Sequence, residues 1–294
     1  MPNLIANLIF ASLLSQSSLN FFNLDLPKFN QTEIGPKRII NQSLGIKTTA
    51  KSILLIDDES GAILYEKNKN QILPIASITK LMTALVLLET KPNWDKSVEI
   101  LKSDHRPGNI TYLLTGEKVN LKDLFNLMLV ASANEAAIAL ARVSGLNDFS
   151  SLMNQKAAAL GMKDTYFLEP SGIEAGNVSS ATDLAKLINA AFAYPAISEA
   201  VTKLEYTFST LNTQRTVRFF NTNNLLATYL NRNQLKIILA KTGHLDEAGY
   251  CLILKIKIAN GKILTLIMLG SQTSTDRNQE AKGLVAWVME NYEF

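Results

Sequence analysis

A long apolar hairpin near the end of the chain places the strongest constraint on its fold. Residues 249–270 read GYCLILKIKIANGKILTLIMLG, two strand-like runs on either side of Asn260-Gly261, a pair favoured in two-residue hairpin turns. A second hairpin is predicted over residues 51–68, where the turn DDESG separates two short apolar strands. Residues 235–243, LKIILAKTG, predict a further strand. Strands are therefore expected near both ends of the chain.

Helical patterns fill the middle of the sequence. Apolar residues at helical spacing predict a helix after Ser77, successive helices over residues 121–162, and one over residues 181–194 that Pro195 ends. A last helix is predicted over residues 281–294. This order of strands, helices and strands predicts an α/β (α+β) fold, in which the sheet is built from both ends and a helical lobe is inserted between them.

Composition narrows the class of protein. The 294 residues are 47% hydrophobic and 19% charged, which is typical of a globular protein with a sizeable core. The net charge is only +3 and basic residues are scattered among acids, so no nucleic acid partner is expected. Cys251 is the only cysteine, and His105 and His244 are the only histidines. We therefore expect no disulfide, no metal site and no cofactor.

The N-terminus differs from the rest of the chain in composition. Residues 4–14, LIANLIFASLL, form an apolar run that is short for a membrane span and resembles the core of an export leader, although no lysine or arginine precedes it. A leader is predicted over residues 1–18, with an ordinary apolar segment as the alternative. Residues 19–47 read as an irregular arm, and one catalytic domain is predicted over 48–294, with no C-terminal β-rich domain.

The helix after Ser77 carries an unexpected lysine. In PIASITKLMTALVLLE, Lys80 follows Ser77 by three residues, so both side chains lie on one face of the first turn. A lysine can lie along a surface with its amine in water, which is the ordinary explanation. The chemical alternative is a desolvated, neutral amine that takes the proton of a serine nucleophile.

Two other short motifs have ordinary explanations when each is taken alone. Ser132 and Asn134 stand between two helical runs in VASANEAA, where either side chain suits a helix N-cap. Lys241-Thr242-Gly243 ends a predicted strand, where a glycine suits a turn. The order Ser-x-x-Lys, Ser-x-Asn, Lys-Thr-Gly, however, matches the motif set of penicillin-binding proteins and serine β-lactamases.

Longer blocks extend this resemblance over about residues 48–290. The chain resembles the D-alanyl-D-alanine carboxypeptidases, the low-molecular-mass penicillin-binding proteins of peptidase family S11. The blocks that carry the resemblance are LPIASITKLMTALVLLE, LTGEKVNLKDLFNLMLVASANEAAIALA, KAAALGMKDTYFLEPSGI, TDLAKLI, NTNNLL and AKTGHLDEAGYCLIL. The resemblance implies a β-lactamase/transpeptidase-like fold: an antiparallel sheet flanked by helices, with the active site beside the inserted lobe.

The resemblance also implies a role for each motif residue. Ser77 would be the nucleophile, Lys80 its general base, and Ser132 the relay of the proton to the leaving amine. Substrate would be bound by Asn134, Lys241, Thr242 and Gly243, and the oxyanion by the backbone amides of Ser77 and His244. A second ammonium at Lys241 and burial are both expected to lower the pKa of Lys80.

The activity implied is removal of the terminal D-alanine from peptidoglycan stem peptides through an acyl-enzyme, outside the cytoplasm of a bacterium. The partners expected are stem peptides and β-lactam antibiotics, which would acylate the enzyme, with membrane association only through the N-terminal segment. An endopeptidase that cuts crosslinks between stem peptides is the main alternative. A β-lactamase is disfavoured because no E-x-x-L-N stretch is present: Leu211-Asn212 has Phe208 at the glutamate position. A non-catalytic peptidoglycan-binding relative would have lost Ser77, Lys80 or Lys241.

Overall fold

The computed structural model describes residues 35–39, 42–43, 45–106 and 110–294. The predicted leader over residues 1–18 lies outside these residues, as does most of the predicted arm. Seven α-helices occur in the described chain: α1 (Thr79–Glu89), α2 (Leu121–Val130), α3 (Asn134–Val143), α4 (Phe149–Ala159), α5 (Ala181–Phe192), α6 (Pro195–Val201) and α7 (Ser274–Asn291). Short 3-10 turns cover Ala76–Ile78, Lys102–Asp104, Asn224–Ala227 and Tyr229–Asn231.

The strands fall into one large sheet and four small pairs. They are β1 (Lys37–Arg38), β2 (Ser52–Asp57), β3 (Ile63–Lys67), β4 (Leu73–Pro74), β5 (Ser97–Glu99), β6 (Lys118–Asn120), β7 (Val178–Ser179), β8 (Glu205–Ser209), β9 (Thr216–Phe220), β10 (Lys236–Leu245), β11 (Gly249–Lys257), β12 (Ile263–Ser271) and β13 (Tyr292–Glu293). The pairs are β1–β13, β4–β7, β5–β6 and β8–β9.

The large sheet has five strands in the order β10-β11-β12-β2-β3, and every neighbouring pair is antiparallel. Its centre joins the two ends of the chain, since Leu269 of β12 pairs with Ser52 of β2 and Leu264 pairs with Asp57. The sheet predicted from both ends of the chain is confirmed, and α2 to α6 lie between those ends in the sequence.

Both faces of the sheet are covered, which explains why its central strands are almost entirely apolar. Successive side chains of a strand point to opposite faces. Leu54 accordingly packs in one core with α1 and α5, whereas Ile53 and Leu55 pack in a second core with α7. Each fully buried leucine or isoleucine stabilises the fold by about 1.5–3 kcal/mol. The sheet is therefore held between the helical lobe and the last helix.

Two local predictions are wrong in detail. The hairpin turn at Asn260-Gly261 has a three-residue loop, in which the N–H of Ile258 donates to the carbonyl of Lys262 and that of Gly261 donates to Ile258. Pro195 does not only end a helix, since it also opens α6 at the first helical position. A proline is well accommodated there because that position needs no N–H donor.

Across the described ranges, no helix is both long and apolar enough to cross a bilayer. The three sequence motifs meet at one place beside the sheet. Ser77 lies on the 3-10 turn before α1, Ser132 lies in the turn between α2 and α3, and Lys241 lies on the edge strand β10. A cleft opens between these three elements.

Candidate active site

Ser77 lines the cleft, and the buried amine of Lys80 lies directly behind it. Ala76, just before the serine, holds a left-handed backbone conformation with φ of 48°, which places Ser77 on a tight turn ahead of α1. The N-terminus of a helix favours negative charge, so this position suits a developing oxyanion. The Nζ of Lys80 lies 2.8 Å from the Oγ of Ser77, and Lys80 is 0% exposed. The surface explanation for this lysine is therefore wrong.

The amine of Lys80 has three oxygen neighbours. Besides Ser77, its Nζ contacts the Oδ1 of Asn134 at 2.7 Å and the backbone carbonyl of Ser171. A neutral amine has two N–H bonds and one lone pair, and carbonyl oxygens can only accept hydrogen bonds. When Lys80 is neutral, its N–H groups are thus taken by Asn134 and Ser171, and its lone pair faces the hydroxyl of Ser77.

Burial sets the protonation of Lys80. Desolvation lowers its pKa to about 7, although the negative charges of Glu169 and Glu135 act in the opposite direction. A lysine with this pKa is neutral in a large share of molecules near pH 7. The amine can therefore accept a proton under ordinary conditions.

The turn between α2 and α3 carries the second motif. Ser132 has a left-handed backbone, with φ of 61°, and the N-cap of α3 is Ala133, which makes no side-chain cap. The Oγ of Ser132 instead accepts a hydrogen bond from the Nζ of Lys241 at 2.8 Å, and Asn134 faces Lys80. The capping explanation for this motif is therefore wrong: both polar side chains point into the site.

The third motif lies within β10 and not in a turn. Lys241 is 1% exposed, and its Nζ also donates to the backbone carbonyl of Thr242 at 2.9 Å. A Cβ at Gly243 would lie 2.9 Å from the carbonyl oxygen of Ile75 and 3.1 Å from the backbone nitrogen of Ser77. Because glycine has no Cβ, the strand approaches the turn of the serine closely.

Repulsion between the two neighbouring amines disfavours the charged form of both, as predicted, because this repulsion is reciprocal. Burial lowers the pKa of Lys241 well below its usual range, and the neighbouring Lys80 and Arg277 lower it further. For Lys80, burial is the largest cause of the lowered pKa. Two desolvated lysines thus lie side by side beneath the cleft, and neither is favoured as an ammonium in the unliganded site.

The cleft has a volume of about 340 Å³. Three of its lining residues stack on one another: the ring of His244 lies 4.0 Å from the ring of Tyr250, and the guanidinium of Arg277 lies 6.0 Å from the ring of Tyr250. The lining residues that belong to the predicted site are Ser77, Ser132, Asn134, Thr242, Gly243 and His244. All six line the same cleft. From the protein interior, Lys80 contacts Ser77 and Asn134, and Lys241 contacts Ser132 and Thr242.

Comparisons with known proteins agree with this geometry. The model of the peptidase S11 family, described as D-alanyl-D-alanine carboxypeptidase, matches residues 38–273. The chain belongs to this family. It is 36% identical to the D-alanyl-D-alanine endopeptidase of Pseudomonas aeruginosa over 81% of this chain and 76% of that protein. It is 33% identical to the D-alanyl-D-alanine carboxypeptidase DacF of Bacillus subtilis over 83% of this chain and 63% of that protein.

A solved relative of this S11 peptidase holds an antibiotic. Penicillin-binding protein D2 of Listeria monocytogenes, in its cefotaxime-bound form, is 30% identical, with a TM-score of 0.73 over 84% of this chain and 100% of that one. The predicted fold class is confirmed, and the protein is a serine-type peptidase of the penicillin-binding family.

Several residues of this S11 peptidase escaped the motif analysis. Ser171 supplies a carbonyl to Lys80, Glu169 organises the loop around it, and Arg277 lines the cleft from α7. Thr222 lies with its Oγ1 2.6 Å from that of Thr242. EPSGI and NTNNLL were part of the family resemblance, so a signal existed for Glu169, Ser171 and Thr222, but nothing in the sequence around Arg277 indicated a site.

Proposed function

We propose that this S11 peptidase is a D-alanyl-D-alanine carboxypeptidase that removes the terminal D-alanine from peptidoglycan stem peptides through an acyl-enzyme. The observation that carries the proposal is the contact between the Ser77 hydroxyl and a fully buried Lys80 whose other two neighbours are carbonyl oxygens. A serine hydroxyl becomes a strong nucleophile only when a base removes its proton. Lys80 is placed to be that base.

Acylation begins when the lone pair of Lys80 takes the proton of Ser77 and the Oγ attacks the carbonyl carbon of the terminal peptide bond. The carbonyl oxygen becomes an oxyanion, which the backbone amides of Ser77 and His244 bind. Preorganised donors of this kind supply a large part of the rate enhancement in acyl transfer. The tetrahedral intermediate then expels the amine of D-alanine, which receives, by way of Ser132, the proton that Lys80 took from Ser77, so that Lys80 is neutral again.

Hydrolysis completes the cycle. A water molecule attacks the ester carbonyl of the acyl-enzyme, loses its proton to the same base, and releases the shortened stem peptide while the hydroxyl of Ser77 is restored. Asn134 holds the substrate amide during both steps. The scheme needs no cofactor, because it consists of acyl transfer and proton transfers, and residues of the site carry out both.

The terminal carboxylate of the substrate needs a cationic partner. Thr242, Gly243 and Arg277 line the cleft, and the buried amine of Lys241 lies beside Thr242. A carboxylate that arrives beside Lys241 favours the charged form of its amine. Arg277 remains charged throughout, and its planar guanidinium suits a carboxylate. The part of the cleft around Lys241, Thr242 and Arg277 is therefore the proposed site of the free carboxylate of D-alanine.

The acylation rate is expected to depend on pH with an acid limb near 7. Protonated Lys80 cannot accept a proton, and its pKa is about 7, so the rate falls as the pH drops through that value. Rates of labelling by fluorescent penicillin, measured across this range on the folded protein, test the prediction. A rate that stays constant well below pH 7 would contradict the neutral-lysine mechanism.

A second candidate activity is cleavage of crosslinks between stem peptides. It is favoured by the similarity to the protein of Pseudomonas aeruginosa that is named an endopeptidase. Purified muropeptides distinguish the two activities: a carboxypeptidase releases free D-alanine from a pentapeptide monomer, whereas an endopeptidase converts a crosslinked dimer into monomers. Mass spectrometry of both digests decides, and a protein that leaves both substrates intact would refute the proposed function.

Penicillin is expected to remain bound as an acyl-enzyme. Two carboxylates lie near Lys80, but neither Glu169 nor Glu135 is among the residues that line the cleft. Both oxygens of Glu169 accept hydrogen bonds from its own loop, and Glu135 accepts one from the backbone N–H of Tyr112. None of the described residues that line the cleft is a carboxylate, so water has no base there of the kind that β-lactamases use. The ring remnant of penicillin also stays attached where the attacking water is needed, whereas D-alanine leaves the site after peptide cleavage.

The lifetime of that adduct separates an inhibited peptidase from a β-lactamase. The protein is acylated with penicillin, excess antibiotic is removed, and the adduct mass is followed. We expect loss of the adduct to be far slower than release of D-alanine from a pentapeptide. If the adduct disappeared within seconds and antibiotic were consumed over many turnovers, the β-lactamase alternative would hold.

The proposed substrate supports a location outside the cytoplasm. Peptidoglycan lies in the cell envelope, so we propose that the protein acts there and that residues 1–18 serve as its export leader. Membrane association, if present, would involve only this N-terminal segment. The N-terminal sequence of the protein recovered from the envelope tests whether the leader is removed.

A further inference from the structure

The loop of residues 169–177 is built around one carboxylate. The Oε2 of Glu169 accepts hydrogen bonds from both the backbone N–H and the Oγ of Ser171 at 2.6 Å. Its Oε1 accepts from the backbone N–H of Gly172, from that of Ile173 at 2.9 Å, and from the Nδ2 of Asn177 at 2.7 Å. A carboxylate with this many donors fixes the path of the backbone, because each charge-assisted bond is stronger than a neutral one.

This loop is pressed against the residues that carry the nucleophile. Gly172 has φ of +79°, and a Cβ there would lie only 2.1 Å from the carbonyl oxygen of Ala76, next to Ser77. Two successive carbonyls of the loop accept from α1: that of Pro170 from the Oγ1 of Thr83 at 2.6 Å, and that of Ser171 from the Nζ of Lys80. The loop therefore reaches both the serine turn and the general base.

From these contacts we propose that Glu169 is a positioning residue for acylation, which holds the Ser171 carbonyl where it directs the lone pair of Lys80 at Ser77. The inference rests on the proposed role of Lys80 as the base. Glu169 acts through this carbonyl and through its charge, and not on substrate directly, since it does not line the cleft. Without that carbonyl, a neutral Lys80 keeps only the Oδ1 of Asn134 as an acceptor, and rotation about the Cε–Nζ bond can turn the lone pair away from Ser77.

The charge of Glu169 gives the proposal a second, independent readout. The groups that surround Lys80 are Glu169 on the loop, Glu135 on α3 and Lys241 on β10, with Arg277 of α7 behind Lys241. Of these, the two carboxylates raise the pKa of Lys80. Removing the charge of Glu169 thus lowers the pKa of Lys80 further, so the acid limb of the acylation rate moves to lower pH.

The test is the pH profile of fluorescent penicillin labelling for the full chain and the variants Glu169→Gln, Glu169→Asp and Glu174→Gln. Glu169→Gln is expected to lower the plateau rate by about 10- to 100-fold, the cost of a misplacement of about 1 Å, and to move the acid limb to lower pH. Glu169→Asp keeps the charge with a shorter side chain, so its plateau falls while the limb stays in place. Glu174→Gln removes an exposed carboxylate from the same loop and should match the parent.

The outcomes separate this proposal from a purely structural role. A Glu169→Gln plateau within about twofold of the parent overturns it, since a misplaced group costs far more. A lowered plateau without a shifted limb, in a protein that still unfolds cooperatively on heating, also overturns it. If Glu169→Gln does not fold, Glu169→Asp decides, and a parental plateau in that variant overturns the proposal. A parent protein that takes up no penicillin would refute the proposed function, and this inference with it.

Discussion

Ser77→Ala is expected to abolish covalent labelling by penicillin and all release of D-alanine. The Oγ of Ser77 is the hydroxyl beside the buried amine of Lys80, and alanine leaves no atom that can form the ester. Intact-protein mass spectrometry after incubation with penicillin should show the adduct only in the parent. Peptide mapping should place that adduct on the peptide that contains ASITK.

The control for this variant is Ser103→Ala, which removes an exposed serine hydroxyl that does not line the cleft. It should be labelled like the parent. The side-chain hydrogen bond lost in Ser77→Ala is worth about 1 kcal/mol, so thermal unfolding should change little and loss of labelling cannot be ascribed to unfolding. Labelling that survives in Ser77→Ala would mean that another residue is the nucleophile.

Lys80→Arg is expected to slow acylation by about 10²–10⁴-fold, which is the usual contribution of a general base. Arginine keeps the positive charge but does not give up its proton in proteins, so it has no lone pair to offer Ser77. The rate is measured as the time course of fluorescent penicillin labelling. A rate close to that of the parent would show that Lys80 is not the base.

Arginine is larger than lysine, so Lys80→Arg also changes the packing around the buried side chain. A matched substitution at another buried lysine controls for this change. Lys156 of α4 is another buried lysine, 3% exposed and paired with Glu89 outside the cleft, and Lys156→Arg should acylate at nearly the parental rate. Lys80→Met, which is neutral and similar in length, should be as slow as Lys80→Arg. If both Lys80 variants acylate slowly and Lys156→Arg acylates normally, the loss of rate results from the missing base.

The sequence predicted most of the fold because its strands and helices have strong local patterns. The apolar runs of β2, β11 and β12 and the Asn260-Gly261 pair indicate a sheet without reference to the rest of the chain, although the turn has three residues instead of the predicted two. Seven of the eight predicted site residues belong to three short motifs, and His244 directly follows the third. The structure brings all eight together at one cleft.

The remaining site residues depend on contacts that no local pattern reveals. Glu169 acts through a carbonyl two residues later, and that carbonyl meets Lys80 only because the loop folds back on the serine turn. Arg277 reaches the cleft only because α7 packs against the second face of the sheet. The pKa of Lys80 likewise depends on burial, which the sequence indicates only as an apolar helix.

The pairing of β12 with β2 has a consequence for how the enzyme matures. Ser77 and Lys80 belong to the first third of the chain, whereas Lys241 reaches them on a strand whose sheet is closed by contacts between the two ends of the chain. Pairings between such distant segments form late in folding because the loop between them must first be closed. A nascent chain that has not yet reached β10 therefore holds the nucleophile and its base without the second lysine. The complete catalytic site comes into existence only with the whole sheet.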